Sequence, residues 1–213
     1  MHRLAILLLL IAAAPLSARD LSGYMMMPSE ELRLAATAAP AAVTEKASYY
    51  VLTPDGFELE IKGANGWHCF VERAFFVRTA GGDEYDPDVR APHCINEEGA
   101  ATRMQEVFMR ARLALEGLER ETVDAEINKA FQSGTLRPPS GFAMTYMMSA
   151  EQWLGEGAGH WHPHLMFWVP YLENADVGGN APMGVLPFIG GESGSRSAVL
   201  IVAVPPLEPP PPH

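Results

Sequence analysis

Arg103-Met104-Gln105-Glu106-Val107-Phe108-Met109-Arg110-Ala111-Arg112-Leu113-Ala114-Leu115-Glu116-Gly117-Leu118 is the stretch that decides the fold class. Met104, Val107, Phe108, Ala111, Leu115 and Leu118 recur at helical spacing, while Arg103, Glu106 and Arg110 mark the opposite side, with Glu106 and Arg110 one turn apart. The spacing predicts an amphipathic helix lying on a core. Just downstream, Thr122 is expected to cap a second helix with Val123, Ile127, Ala130 and Phe131 as its apolar stripe and Gly134 as its stop. Together the two read as a helical hairpin.

Upstream of Cys94 the period is 2 instead of 3.6. Phe57, Leu59 and Ile61 alternate with Glu58, Glu60 and Lys62, and Thr53-Pro54-Asp55-Gly56 separates this run from Ser48 to Leu52, so a hairpin is expected. Gly63-Ala64-Asn65-Gly66 supplies another reversal, and Trp67 to Val77 returns as a third strand, giving a three-stranded antiparallel meander. Thr79 to Pro92, with Gly81-Gly82, two prolines and Asp83, Glu84, Asp86 and Asp88, reads as a surface loop. Its acids lack the spacing of a calcium loop. Downstream of Gly134, Phe142 to Met148 and Leu165 to Val169 are short apolar strands, Ser149 to Gln152 has the form of a capping box for a brief helix through Leu154, and Ala198 to Val204 suits a central strand. The expected fold is α+β, an antiparallel sheet with the helical hairpin packed on one face.

The ends differ in kind. Residues 1–18 have the build of a signal peptide: His2 and Arg3, an apolar run from Leu4 to Ala14, and small residues at Ser17-Ala18. A bilayer span takes about 20 apolar residues and this run is shorter, so the leader implies export without anchoring. Residues 19–46 read as an alanine-rich, low-complexity arm, with a weak helix opening at Ser29. Residues 47–204 are then a single α+β domain, and 205–213 a solvated proline-rich tail. Loss of Arg3 with the leader takes the formal charge from −11 to −12, which excludes attraction to nucleic acid or an anionic membrane surface.

Cys69 and Cys94 are the two cysteines, both in the exported portion, where oxidising conditions favour a disulfide. Their separation lacks the Cys-x-x-Cys geometry of redox or metal pairs.

Candidate chemistry centres on His160-Trp161-His162-Pro163-His164-Leu165-Met166. On an extended backbone His160, His162, His164 and Met166 share a face and become candidate ligands for copper or zinc. The first and third histidines would lie about 13 Å apart at 3.3 Å per residue, so two histidines with a donor from elsewhere fit better. His68, His93, Met144, Met147 and Met148 are the candidates for that donor. The competing readings are a structural turn in which His164 bonds nearby backbone, and a small enzyme with His164 as acid/base. Gly191-Glu192-Ser193-Gly194-Ser195 ends in serine where a nucleophile elbow has glycine, and a strand follows it, so it does not indicate a hydrolase. Trp161, Phe167, Trp168 and Tyr171 form either a core wall or the lining of a pocket.

Pro163-His164-Leu165-Met166-Phe167-Trp168-Val169-Pro170-Tyr171, running on to Asn174-Ala175-Asp176, resembles a segment of an uncharacterised family of secreted bacterial proteins. The resemblance implies a shared fold and export and carries no catalytic residues. The reading reached from sequence is an exported, periplasmic or secreted binding or structural module of the cell envelope, with no cofactor assigned unless the histidine run holds a metal.

Overall fold

A computed structural model describes residues 21–75, 85–178, 187–191 and 193–206. Residues 1–20, on which the expected signal peptide falls, Asp83, Glu84 and Glu192, and residues 207–213 of the expected tail lie outside them.

The architecture is α+β. Eight strands form one sheet: β1 (Ser48–Thr53), β2 (Gly56–Ile61), β3 (His68–Phe75), β4 (Tyr85–Ile95), β5 (Met144–Met147), β6 (His164–Trp168), β7 (Phe188–Gly190) and β8 (Val199–Ala203), in the order β2-β1-β3-β4-β5-β6-β8-β7. Helices α1 (Pro28–Ala36) and α2 (Ala41–Thr44) precede β1, and α3 (Glu97–Ala100), α4 (Arg103–Leu115) and α5 (Arg120–Ser133) lie between β4 and β5. No described helix is long and apolar enough to cross a membrane.

Helix α4 forms where the 3.6 period requires it and buries Met104, Val107 and Ala111 on the sheet. Phe108 stacks on Phe57 of β2 with ring centroids 4.5 Å apart and meets Phe70 of β3 edge-on at 5.3 Å. Helix α5 packs beside α4 through Val123, Ile127 and Ala130, and Gly134 ends it in the left-handed region at φ 79°. Thr122 is not its cap. The cap position lies three residues earlier, at Glu119, and the Thr122 amide already donates to the Glu119 carbonyl.

The hairpin of β1 and β2 is present, but the three strands are not a meander. Strand β3 pairs with β1 in parallel, on the side away from β2. The connection passes beneath the start of β1: the Ala64 amide donates to the Lys46 carbonyl and the Ser48 amide to the Trp67 carbonyl, both at 2.8 Å. Gly63 permits this crossing, since a Cβ there would lie 2.2 Å from the Ala47 carbonyl carbon.

Much of the expected loop 79–92 is strand. Strand β4 pairs with β3, its register jumping between Glu72↔Ala91 and Ala74↔Asp86, so four β4 residues, Pro87 to Arg90, bulge out. Proline and acidic residues mimic a loop because a bulge tolerates them as a loop does. The helix expected over 149–154 is also absent: Trp153 exchanges two backbone hydrogen bonds with Arg90, which holds that segment extended.

Residues 19–46, read as an arm, contribute core where they are described. Helix α1 starts at Pro28, ahead of the expected Ser29 cap, because proline suits the first helical position. Its Leu34 and Ala35 cover β3 and β4. Beneath them Cys69 and Cys94 sit directly opposite each other in register and are joined as a disulfide. Closing 25 residues of separation stabilises the fold by about 3–4 kcal/mol through the entropy of the unfolded chain.

Candidate binding site

On β3, Glu72 and Arg73 point to opposite sides of the sheet, and the Glu72 side leads to the site. Arg103, Glu106 and Arg110, at i, i+3 and i+7 on α4, line up above it. Arg103 reaches Glu72 at 3.6 Å and Glu106 at 3.1 Å, and Arg110 lies 3.9 Å from Glu106 and 2.7 Å from Asp124 of α5. The chain of alternating charges runs from the centre of the sheet to the α4–α5 surface. At its inner end His93 Nε2 stands 3.3 Å from Glu72. Burial, with Arg103 adding repulsion, pushes His93 down to about 3, so its ring is neutral. Burial raises Glu72 and Arg103 opposes it; burial would likewise depress Arg103, but Glu106 and Glu72 hold it above its ordinary value.

Where this chain meets solvent a shallow cleft opens, about 240 Å³ counted out to open water. Arg103, Glu106 and Thr102 of the α4 end, Phe131 of α5, Arg137-Pro138-Pro139, Trp168 of β6 and Arg196-Ser197 line it. Three guanidiniums face one carboxylate there, in a chain whose formal charge is −11.

Each arginine is held in place. Arg103 lies over the Trp168 ring at 5.1 Å, and Trp168 Nε1 donates to Thr145 Oγ1 at 3.1 Å. Arg196 lies over the Phe131 ring at 4.2 Å and donates to Asn128 Oδ1 at 2.6 Å. Arg137 makes a fork to both carboxylate oxygens of Glu98, at 2.8 and 3.1 Å. Glu98 also accepts from the Ser140 and Gly141 amides, and these bonds with Arg137 hold its carboxyl down at about 2. Arg196 Nε is buried and has no hydrogen-bond partner. A buried donor left unmet costs free energy that an incoming acceptor would recover.

The histidine run does not gather. Strand β6 begins at His164, so His160 and His162 lie ahead of it and the three do not share a strand face. His160 Nδ1 is 2.7 Å from the Gln152 carbonyl, and its ring meets Trp153 edge-on. His162 is exposed, and its carbonyl takes His164 Nδ1 at 2.8 Å. His164 is buried at 3% exposure and does not line the cleft. Met166 shares its face and is buried beside Met147. Among the described residues no three His, Cys, Asp or Glu side chains come close enough together to hold a metal ion.

The aromatic cluster also divides. Trp168 lies against Arg103, Phe167 packs toward Phe142, Trp161 meets His164 at 4.6 Å and Tyr171 is exposed. Reasoning from sequence placed Arg103, Glu106 and Arg110 on the outer side of their helix and passed over Arg137 and Arg196. No spacing joins residues this far apart along the chain; the available signal is that twelve of the fifteen basic residues are arginine, the side chain suited to fixed, forked contacts. Comparison with protein-family models, curated proteins and solved structures finds no match to this chain.

Proposed function

We propose that this chain is an exported, non-catalytic binding module of the cell envelope, and that its arginine cleft takes an oxyanion, a carboxylate or phosphate group at the end of a larger molecule. The observation that carries the reading is Arg196, whose Nε is buried at the cleft with no partner while Nη2 is held by Asn128 and its flat face lies on Phe131. A guanidinium fixed in this way keeps little rotamer freedom to lose, so an acceptor gains the hydrogen bond at low entropic cost. Trp168 and Phe131 are covered by Arg103 and Arg196, which leaves ring edges and Pro138-Pro139 for the apolar part of the ligand. The shallow shape favours recognition of one terminal group over enclosure of a whole small molecule. The leader in residues 1–18 and the disulfide support an extracytoplasmic setting.

Calorimetric titration of the full chain with succinate and with inorganic phosphate tests this. Binding of either that weakens at least tenfold in Arg196→Gln, stays within twofold in Arg33→Ala, and falls as salt rises supports the cleft. No binding of either probe, or equal binding in Arg196→Gln, overturns it.

A further inference from the structure

A second set of donors lies inside the sheet, away from the cleft. Met147 of β5 faces His164 of β6 directly in register. On the other side of β5, Cys94 faces Tyr146 and Ile95 faces Thr145, so continuing that register one step brings His93 across from Met147. Opposed residues on adjacent strands share a face. His93, Met147 and His164 therefore form a row across three neighbouring strands on the α4 side, all buried, with Met166, Leu154 and Trp161 packed around Met147 and its neighbours. At one strand spacing of about 4.8 Å per step, the histidine backbones stand roughly 10 Å apart with the thioether between them.

Each imidazole has one nitrogen committed and one left over. His164 Nδ1 sits 2.8 Å from the His162 carbonyl, which can only accept, so Nδ1 carries the proton and Nε2 the lone pair. His93 Nε2 faces the Glu72 carboxylate at 3.3 Å, which draws the proton there and leaves the lone pair on Nδ1. An oxygen behind one ring nitrogen and a lone pair on the other is the arrangement that orients histidine ligands in metal sites.

The donor set selects the ion. Zinc takes four ligands in structural sites and usually three protein ligands in catalytic ones, drawn from thiolate, imidazole and carboxylate, and no three such residues converge among those described. Two imidazoles with a soft thioether in an apolar surround match Cu(I). We propose that His93, Met147 and His164 form a Cu(I) site within the α4 face of the sheet, distinct from the arginine cleft and joined to it only through the contacts of Glu72 with His93 and Arg103. Of the residues the sequence marked, it keeps His164 with His93 and Met147 from the candidate outside donors, and excludes His160 and His162, with Met166 beside it.

The test is competition of the full chain with bicinchoninate for Cu(I), under argon with ascorbate, a reductant that leaves the Cys69–Cys94 disulfide closed. The expected result is one Cu(I) per chain. Met147→Leu conserves volume and so keeps the fold; it weakens binding at least tenfold while the metal-free melting temperature stays within a few degrees. The double variant His160→Gln, His162→Gln binds within twofold of the parent. Failure to compete, or loss of binding in the His160/His162 variant with retention in Met147→Leu, overturns the proposal. X-ray absorption of the loaded chain gives an independent reading: nitrogen with sulfur scattering supports it, and nitrogen or oxygen alone overturns it.

Discussion

Glu72 and Arg73 are neighbours on β3, yet they meet opposite fates. Arg73 turns toward α1, where its guanidinium donates to the Tyr24 and Val71 carbonyls and to Glu31 at 2.8 Å, with neither charged side chain reaching solvent. Glu72 turns toward α4 and begins a chain of charges that ends at the surface. The first arrangement is enclosed, one acid to one base, with two backbone carbonyls taking further guanidinium donors and one carboxylate oxygen, Glu31 Oε2, buried without a partner. The second is branched and ends in a cleft where a donor is unmet. A closed buried pair holds α1 on the sheet, and a branched one that reaches solvent can exchange partners with a ligand.

The largest effect expected from this contrast is on stability. Burial pushes Glu31 up and Arg73 down to about 10, so each depends on the other to stay charged. Glu31→Ala leaves a buried guanidinium short of its counter-charge and should cost about 3–5 kcal/mol. Glu72→Gln leaves Arg103 with Glu106 and should cost about 1–2 kcal/mol. Urea denaturation at pH 7 measures both, and equal losses would show that the two faces do not differ as described.

The next effect confines pH sensitivity to one face. His93 and His164 both lie on the α4 side. Glu72 of β3 and Arg103 of α4 face His93, and Trp161, the His162 carbonyl and His93 itself face His164. Their folded values, about 3 and about 4, lie below the ordinary 6.5. Between those limits the unfolded chain binds more protons than the folded one, so the contribution is complete above pH 6.5 and is lost as pH falls toward 4. At pH 5 the loss is about 2 kcal/mol per histidine. Glu31 and Glu72, both raised, act with the opposite sign, so the informative quantity is a difference. The stability gap between the parent and His164→Gln should narrow by about 2 kcal/mol from pH 7 to pH 5, and a gap independent of pH would remove the buried neutral ring from the account.

What the chain disclosed of itself follows the same division between local and assembled features. The α4 helix, the β1–β2 hairpin, the Gly134 stop and the cysteine pair were legible because each depends on residues close in sequence or on composition alone. The parallel pairing of β3 with β1 was not, since it depends on Gly63 passing under Ala47, and a glycine in a turn looks the same whether or not another strand runs beside it. Strand β4 was hidden by Pro87 and Pro92, which a bulge and its partner strand accommodate. The site was least legible: Arg103, Arg137 and Arg196 meet only after α4, a loop and a turn before β8 have been folded together. The histidine run was conspicuous and misleading, because its alternation would align three rings only on a strand that covered all three, and β6 starts at His164.

The smallest expected effect isolates burial from geometry. Arg33 of α1 and Glu151 make a forked pair at 2.8 and 2.9 Å, as well formed as the contact of Arg73 with Glu31, but with side chains 59% and 51% exposed. If geometry governed the energetics, the two pairs would couple alike. In water the exposed pair gains little Coulomb energy and must immobilise two long side chains, so a double-mutant cycle with Arg33→Ala and Glu151→Ala should give under about 1 kcal/mol. That coupling should vanish in 1 M salt, where the screening length falls to about 3 Å. The contact between α1 and the β5 end survives regardless, because Thr37 bonds Ser149 at 2.6 Å and the Met148 amide donates to the Ala38 carbonyl. A coupling at Arg33 that matched the loss in Glu31→Ala would mean that the buried pair owes its strength to its contact geometry and not to the absence of water.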